Sequence, residues 1–170
     1  YASFLPKPLQ NTPGSGLHLA VSITKNGQNL FHPSIEESEE GRQFVAGVLR
    51  RAAEMTIFGN PLTNSFQRLG EFEAPKYITW SHQNRAPLIT VPLATGGKPN
   101  RFKLRSFDGC INPYIVFALL IHAGLDGIEK RMILQPPVNK NLFDPAEAAG
   151  LGLETLPATL EEAVQAAEES

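Results

Sequence analysis

Cysteine, excess charge of one sign and long apolar runs are all scarce in this sequence of 170 residues. The single cysteine, Cys110, excludes an internal disulfide and a cysteine-based zinc site and is typical of a reducing compartment, so we expect a cytoplasmic protein. Lys and Arg number 15 against 17 Asp and Glu, without clustering, which argues against nucleic acid or a membrane surface as a partner. The longest apolar run, residues 114–123, is too short to span a membrane and predicts a buried helix.

The composition predicts a folded globular protein. Hydrophobic residues make up 42% of the chain and charged residues 19%, which suits one domain with a sizeable core. Residue 1 is a tyrosine and residues 163–170 stop inside a helical pattern. We therefore expect residues 1–170 to be a single partial domain of a longer chain.

Branched apolar residues predict the first strand. Residues 17–23 form such a run, Lys25-Asn26-Gly27 is a hairpin turn, and residues 28–31 return. Further strands are predicted at 76–80, 86–92 and 101–107.

Three helix starts are marked by polar residues that can cap backbone N–H groups. The signals are Ser34 with Glu37, Asn112 before Pro113, and Thr159 with Glu162. The first helix carries apolar residues on one face and runs toward Gly59: Phe44, Val45, Val48, Leu49 and Ala52. The second is apolar nearly all round and is predicted to be the central core helix, and the third covers residues 160–168. The order of elements predicts an α+β fold with a mainly antiparallel sheet.

A glycine turn and an acidic loop are the first candidates for chemistry. The turn Gly14-Ser15-Gly16 precedes His18 at the mouth of a strand, where backbone N–H groups could approach an anion; an ordinary turn with a structural histidine explains the pattern equally. Glu73 lies in a proline-closed loop and is either an exposed acid or a general base.

Basic residues are the next candidates. Arg101, Lys103 and Arg105 fall on one face of a predicted strand, because strand side chains alternate. Arginine side chains bind carboxylate or phosphate in bidentate fashion, although a solvated sheet face is the alternative. Arg68 and Arg85 extend the set.

Taken together, the motifs resemble the glutamine synthetase family over almost the whole chain and in the family's order. The matching stretches are FLPKP at 4–8, GSGLH at 14–18, NPLTNSFQRL at 60–69, FEAP at 72–75, NR at 84–85, NPY at 112–114, AGLDGI at 123–128 and NKNLFD at 139–144. The resemblance implies the C-terminal part of a catalytic domain that joins ammonia to the γ-carboxylate of glutamate, using ATP and Mg²⁺ or Mn²⁺, through a γ-glutamyl phosphate. It also implies a homo-oligomer of stacked rings with sites between subunits.

Roles carry over by position from the family pattern. His18 would be a metal ligand, and Gly14, Arg68 and Arg105 would bind the substrate. Glu73 would accept a proton from ammonium, with Arg68, Arg85 and Arg105 as the further catalytic residues. The nucleotide-side residues would be Ser22, Arg85, Lys98 and Arg101.

Five positions depart from the family pattern. Lys103 stands where the family has a metal-binding glutamate; Ala20 replaces a histidine, Thr90 an arginine, Pro13 an asparagine, and Phe143 a tyrosine that some relatives adenylylate. At an effective dielectric of about 20 and a separation of about 4 Å, an ammonium group opposes a divalent ion by roughly 8 kcal/mol.

Two functions therefore stay open. One is a ligase of this family, with the amine and the acid undetermined. The other is a catalytically impaired binding or assembly module in which Lys103 replaces the metal's charge. In both cases residues 1–170 alone are expected to be inactive.

Overall fold

Short strands and six helices make up the part of the chain that the structure, a computed structural model, describes: residues 2–82, 84–92 and 101–169. The strands are β1 (Leu19–Val21), β2 (Thr24–Lys25), β3 (Gln28–Asn29), β4 (Trp80–Ser81), β5 (Ile89–Thr90) and β6 (Phe102–Leu104). The helices are α1 (Glu39–Arg50), α2 (Ala52–Gly59), α3 (Thr63–Phe66), α4 (Pro113–Glu129), α5 (Pro145–Ala148) and α6 (Leu160–Glu168).

Four strands form the main sheet, in the order β1-β6-β5-β4. The β1–β6 and β6–β5 pairs are antiparallel and the β5–β4 pair is parallel. The α+β class with a mainly antiparallel sheet is therefore confirmed. The strands are shorter than predicted because the flanking segments pair only at isolated bridges, such as Gly16 with Asp108 and Tyr77 with Thr155.

The predicted hairpin turn is confirmed, but the predicted pairing of its strands is wrong: the turn joins β2 to β3, whereas the strand predicted at 17–23 contains β1, which pairs with β6. Asn26 and Gly27 both have positive φ, 51° and 79°, as the tight two-residue hairpin turn requires. Strand β3 pairs with β2 in a separate two-stranded sheet.

Helix α1 begins later than predicted. Its N-cap is Ser38, whose Oγ accepts a hydrogen bond from the Gly41 N–H at 3.0 Å, so the predicted capping box of Ser34 and Glu37 is wrong. The preceding residues close a turn instead, in which the Ser38 N–H donates to the Ile35 carbonyl. Glutamates at both of the first two helical positions favour the later start, because they lie at the positive end of the helix dipole.

The apolar face predicted for this region is confirmed. Phe44, Val45, Val48 and Ala52 are buried and Leu49 is half-buried. The ring of Phe102 on β6 contacts Phe44, with ring centroids 6.1 Å apart, and Phe31, with centroids 5.8 Å apart. The core therefore lies between α1 and one face of the sheet.

Helix α4 begins where the sequence predicts and crosses α1 closely. The Asn112 side chain caps it by accepting from the Tyr114 N–H at 3.1 Å, and Pro113 takes the first helical position. A Cβ atom at Gly47 would lie 2.2 Å from the Ala123 carbonyl oxygen, and one at Gly127 would lie 2.2 Å from that of Gln43. These glycines let the two backbones meet.

The prediction that α4 is the central core helix holds for only one side of the helix in the described chain. Only one side of the helix packs on the core, through Val116, Leu120, Ala123, Gly124 and Gly127. The other side exposes a stripe of large apolar residues: Tyr114, Ile115, Phe117, Ile121 and Leu125. A helix that is apolar on every side tends to be buried on every side. Within the described residues, however, no segment covers this side of α4.

Helix α6 has the predicted bounds and packs against α2. Thr159 Oγ1 accepts from the Glu162 N–H at 3.1 Å, while the Glu162 carboxylate accepts from the Ala158 N–H at 2.7 Å. The capping pair is confirmed, with its second bond made one residue earlier than in the usual box. Across the described ranges, no helix is both long and apolar enough to cross a bilayer.

Candidate active site

The β1–β6 ladder places buried side chains on one face of the sheet and candidate site residues on the other. Leu19 is opposite Leu104, Ala20 opposite Lys103, and Val21 opposite Phe102. Opposite residues share a face and neighbours alternate. Because Leu104 and Phe102 point into the core, Lys103 lies on the other face of the sheet, as predicted.

Basic residues flank Lys103 on the same face. Arg101 and Arg105 precede and follow β6 at even spacing from it, and His18 and Ser22 do the same for Ala20 on β1. Ser22 and Arg101 thus belong to one end of the ladder, and His18 and Arg105 belong to the other. Lys98, the remaining predicted nucleotide-side residue, lies outside the described residues.

A cavity of about 640 Å³ opens at the His18 end of the ladder. It gathers four of the predicted site residues, Gly14, His18, Arg68 and Glu73, around Arg105. Its full lining is Pro13, Gly14, Gly16, His18, Arg68, Glu71, Phe72, Glu73, Ala74 and Arg105.

Arg68 lines the cavity and is hydrogen-bonded to the segment that follows β6. The residue is 4% exposed, and its Nη2 atom donates to the carbonyl oxygens of Ser106 and Phe107 and to Asn60 Oδ1. Burial lowers the pKa of Arg68, an effect that the carboxylate of Asp108 opposes. The Nε atom is buried without a hydrogen-bond partner among the described residues.

The glycine turn packs directly on Arg68. A Cβ atom at Gly14 would lie 2.2 Å from the Pro6 carbonyl oxygen and 3.1 Å from the Arg68 side chain, and one at Gly16 would lie 3.1 Å from Arg68 Nη1. The turn is fixed by the Ser15 N–H, which donates to Pro6 O at 2.8 Å. Gly14 is therefore explained chiefly by close approach to the Pro6 backbone, and Gly16 packs against the Arg68 side chain, contacts that the sequence pattern did not reveal.

Arg105 is the least compensated charge of the site. It is 6% exposed, its Nε atom has no hydrogen-bond partner, and no ion pair joins it to a carboxylate within residues 2–82, 84–92 and 101–169. Burial and the neighbouring Arg85 lower its pKa, while Glu73 opposes them. A buried guanidinium without a partner is costly, so the arrangement favours an anionic ligand.

His18 is surrounded mainly by cations. Partial burial, followed by the charges of Arg105, Arg68 and Lys103, lowers its pKa, and only Glu73 acts in the opposite direction. Its imidazole is therefore neutral near pH 7 and able to accept a hydrogen bond.

Glu73 stands on a short, internally bonded loop. The Ala74 N–H donates to the Glu71 carbonyl at 3.0 Å, and the Gly70 N–H donates to that of Ala74 at 3.0 Å. Phe72 adopts a positive φ of 51°, which is uncommon for a bulky residue. The Glu73 carboxylate is 71% exposed and 3.9 Å from Arg85 Nη1. An exposed pair at this distance contributes little stability and leaves both groups able to move.

Arg85 is positioned by its neighbour Asn84, which the resemblance did not assign a role. Ser81 Oγ donates to the Asn84 carbonyl at 3.1 Å, Thr90 Oγ1 does so at 3.2 Å, and the Asn84 amide donates to the Lys140 carbonyl. The loop that carries Arg85 is thus bound to β4, β5 and the segment around Lys140.

A divalent cation does not fit the donors that this chain supplies. In the described ranges, no group of three or more His, Cys, Asp or Glu side chains could hold a metal ion. The family's metal is a hard cation that needs several oxygen ligands. The described lining of the cavity at His18 offers two exposed carboxylates, Glu71 and Glu73, against the charges of Lys103, Arg105 and Arg68.

Known proteins resemble the chain closely. The family model for the glutamine synthetase catalytic domain matches residues 1–170. The glutamine synthetases of Staphylococcus aureus strain MW2 and Staphylococcus epidermidis strain RP62A are 43% and 40% identical, over 100% of this chain and 39% of theirs.

Solved structures agree with the family match. The structure "GmaS/ADP complex-Conformation 1" superposes with a TM-score of 0.86 at 32% identity, covering 99% of this chain and 40% of that one, and "Apo GmaS without ligand" gives 0.84. The chain thus spans about two fifths of the length of its relatives. It belongs to the glutamine synthetase family and corresponds to a C-terminal part of the catalytic domain.

Proposed function

We propose that the protein containing this chain is an ATP-dependent ligase that joins ammonia, or another amine, to the γ-carboxylate of a glutamate-like acid. The observation that carries the proposal is the pair of buried arginines, Arg68 and Arg105, that line one cavity beside the Glu73 loop. Glutamine synthetase relatives support the same reaction class.

The acid substrate would bind at the floor of the cavity. Arg105 would bind a carboxylate in bidentate fashion, because its guanidinium is buried and unpaired by any described carboxylate. Arg68 is already committed to two backbone carbonyls through Nη2, so it would add positive potential and orient the cavity wall. Gly14, which lines the same cavity, would lie against the bound acid.

The amine would arrive next to Glu73. The Glu73 carboxylate is largely exposed beside the cavity, where it would accept a proton from ammonium and leave ammonia as the nucleophile. Arg85, held near it by the Asn84 loop, would stabilise negative charge developing on a phosphoryl oxygen.

A nucleotide would bind along the basic face of the sheet. Ser22, Arg85, Lys98 and Arg101 are the residues proposed for it, and the similar GmaS/ADP complex supports a nucleotide in this fold. ATP would supply the phosphoryl group that activates the acid. The family's Mg²⁺ or Mn²⁺ does not fit the donors beside His18, so no step is derived through a metal and the role of His18 as a ligand stays a prediction.

A second candidate function is favoured by Lys103. An ammonium group at the position of a metal-ligand glutamate could hold carboxylates from the remainder of the protein together, in a binding or assembly module without turnover. The other site residues would then bind ligands without catalysing a reaction.

The context of the domain is also proposed. We expect residues 1–170 to form one partial domain, inactive alone, within a cytoplasmic homo-oligomer whose small-molecule partners are the acid, the amine and ATP. The exposed apolar stripe of α4, centred on Phe117 and Ile121, supports burial against further protein. Light scattering of the full-length protein measures the oligomeric state, and a monomer would contradict the homo-oligomer.

The deciding experiment is ATP hydrolysis that depends on both glutamate and ammonium, in the full-length protein. Methylamine replaces ammonium in a parallel series, and Arg105→Gln is the inactive control. Activity that requires acid and amine together supports the ligase. If the natural protein is inactive and Lys103→Glu is active, the binding module is supported. If both proteins are inactive, the ligase is refuted for these substrates.

A further inference from the structure

Three of the departures from the family pattern lie in one row of the sheet. Lys103 is opposite Ala20 on β1 and opposite Thr90 on β5. Residues directly opposite in neighbouring strands share a face, so the three side chains are adjacent although they are 13 to 83 residues apart in sequence. The changes therefore alter one continuous patch rather than three unrelated positions.

The row offers a cation and nothing that would bind a metal. Ala20 has no polar atom, and the Thr90 hydroxyl donates to the Asn84 carbonyl at 3.2 Å. Lys103 forms no ion pair or side-chain hydrogen bond with another residue of the described chain, and its charge acts on His18. Arg101 and Arg105 continue the positive charge on the same face on either side.

We infer that this row binds the phosphate groups of a nucleoside diphosphate directly, with the Lys103 ammonium in place of a divalent cation. The Lys103 ammonium and the Arg101 guanidinium on one face satisfy phosphate oxygens by charge-assisted hydrogen bonds, while Arg105 at the His18 end is left to the acid. Ala20 and Thr90 are small and uncharged, so they leave room beside Lys103. The inference deepens the proposed function and rests on its assignment of a nucleotide to this face.

The test is calorimetric binding of ADP to the full-length protein, once in EDTA and once in excess Mg²⁺. The natural protein should bind ADP with the same Kd in both buffers, within about twofold. Lys103→Gln removes one charge-assisted contact and should weaken binding by about tenfold or more in both buffers. Lys103→Glu should lose binding in EDTA and regain it in Mg²⁺, because it restores an oxygen ligand.

Two controls separate charge from folding. Lys103→Arg keeps a cation and should retain binding in EDTA. Lys130→Gln removes a lysine that pairs with Asp126 on α4, away from the row, and should bind as the natural protein does. Circular dichroism checks that the variants are folded, and a Lys103 variant that fails this check is replaced by Lys103→Met.

The inference is overturned if the natural protein binds ADP only with Mg²⁺, if it binds no ADP in either buffer, or if Lys103→Gln binds normally. Failure of the ligase proposal gives a different result. If ADP binds without metal and there is no turnover, the ligase is refuted and the inference about Lys103 is retained. If there is turnover and ADP binds only with Mg²⁺, the ligase is retained and the inference is refuted.

Discussion

Replacing Gly47 by alanine should destabilise the protein even though alanine is the better helix former. In the interior of α1, the exchange alone would stabilise by about 0.5–1 kcal/mol. The new methyl group, however, would lie 2.2 Å from the Ala123 carbonyl oxygen and 2.8 Å from the Gly127 backbone. Nonbonded heavy atoms settle at about 3.5 Å, so α1 and α4 would have to separate by roughly 1 Å.

The opposing effects can be summed. Overpacking typically costs about 1–3 kcal/mol, and the upper part of the range applies because the atoms in the way belong to backbone. After the gain in helix propensity, the free energy of unfolding should fall by about 1–2 kcal/mol. With a urea m-value near 2 kcal/mol per molar, the unfolding midpoint should fall by about 0.5–1 M.

Urea denaturation followed by far-UV circular dichroism measures the shift. Gly109→Ala is the matched control, because a Cβ atom there meets nothing within 4 Å, and its midpoint should stay close to that of the natural protein. A Gly47→Ala protein as stable as the natural one, or more so, would show that the helices do not meet as closely as described.

Three further predictions concern the site and its surroundings. Arg105→Lys keeps a charge but loses the bidentate fork, so the KM for glutamate should rise by about tenfold or more; an unchanged KM would remove Arg105 from the acid site. Glu73→Gln should lower kcat by about 10²-fold or more with little change in ADP affinity, and a full kcat would exclude it as the base. A hydrogen bond from Lys130, together with the charge of Arg51, lowers the pKa of Asp126. The ionised Asp126 carboxylate therefore stabilises the folded protein above the ordinary carboxyl pKa, and this stabilisation is lost as the pH falls through the lowered value. Asp126→Asn should therefore reduce Tm at pH 7 and flatten its acid decline, and parallel Tm–pH curves would contradict this.

Local signals determined much of the fold. The bounds of α6 follow from Thr159 and Glu162, and the start of α4 follows from Asn112 and Pro113, because each signal satisfies backbone groups within one turn. The alternation on β6 likewise needs no partner to be predicted, since the pleat alone separates even from odd positions.

Predictions that depended on a choice between similar signals, or on distant surfaces, were less successful. Ser34 and Ser38 are both capable of capping α1, and the Ser38 turn with Ile35 decides between them. The exposure of Phe117 on α4 depends on what covers the helix, and composition carries no information about that. Strand lengths depend on pairing across the sheet, so β4 and β5 came out shorter than their apolar runs.

The site itself was predicted as a set of residues, not as an arrangement. Resemblance named Arg68, Glu73 and Arg105, and the fold brings them to one cavity. It did not reveal the hydrogen bond from Asn84 to the Lys140 carbonyl that helps to position Arg85, because this bond joins segments more than fifty residues apart. Nor did it reveal that Gly16 is needed for contact with Arg68.

The pleat of β6 explains how such a site can change while the fold persists. Phe102 and Leu104 are buried in the core, so their replacement would cost stability in every member with this packing. Lys103 lies between them in sequence but on the opposite face, opposite Ala20 and Thr90, where its charge acts on His18 and on any ligand bound there. A charge reversal there alters the ligand chemistry by several kcal/mol and the core hardly at all. The core packing of this chain and the charge that it presents to a ligand are therefore separable properties, and the sheet separates them within three consecutive residues.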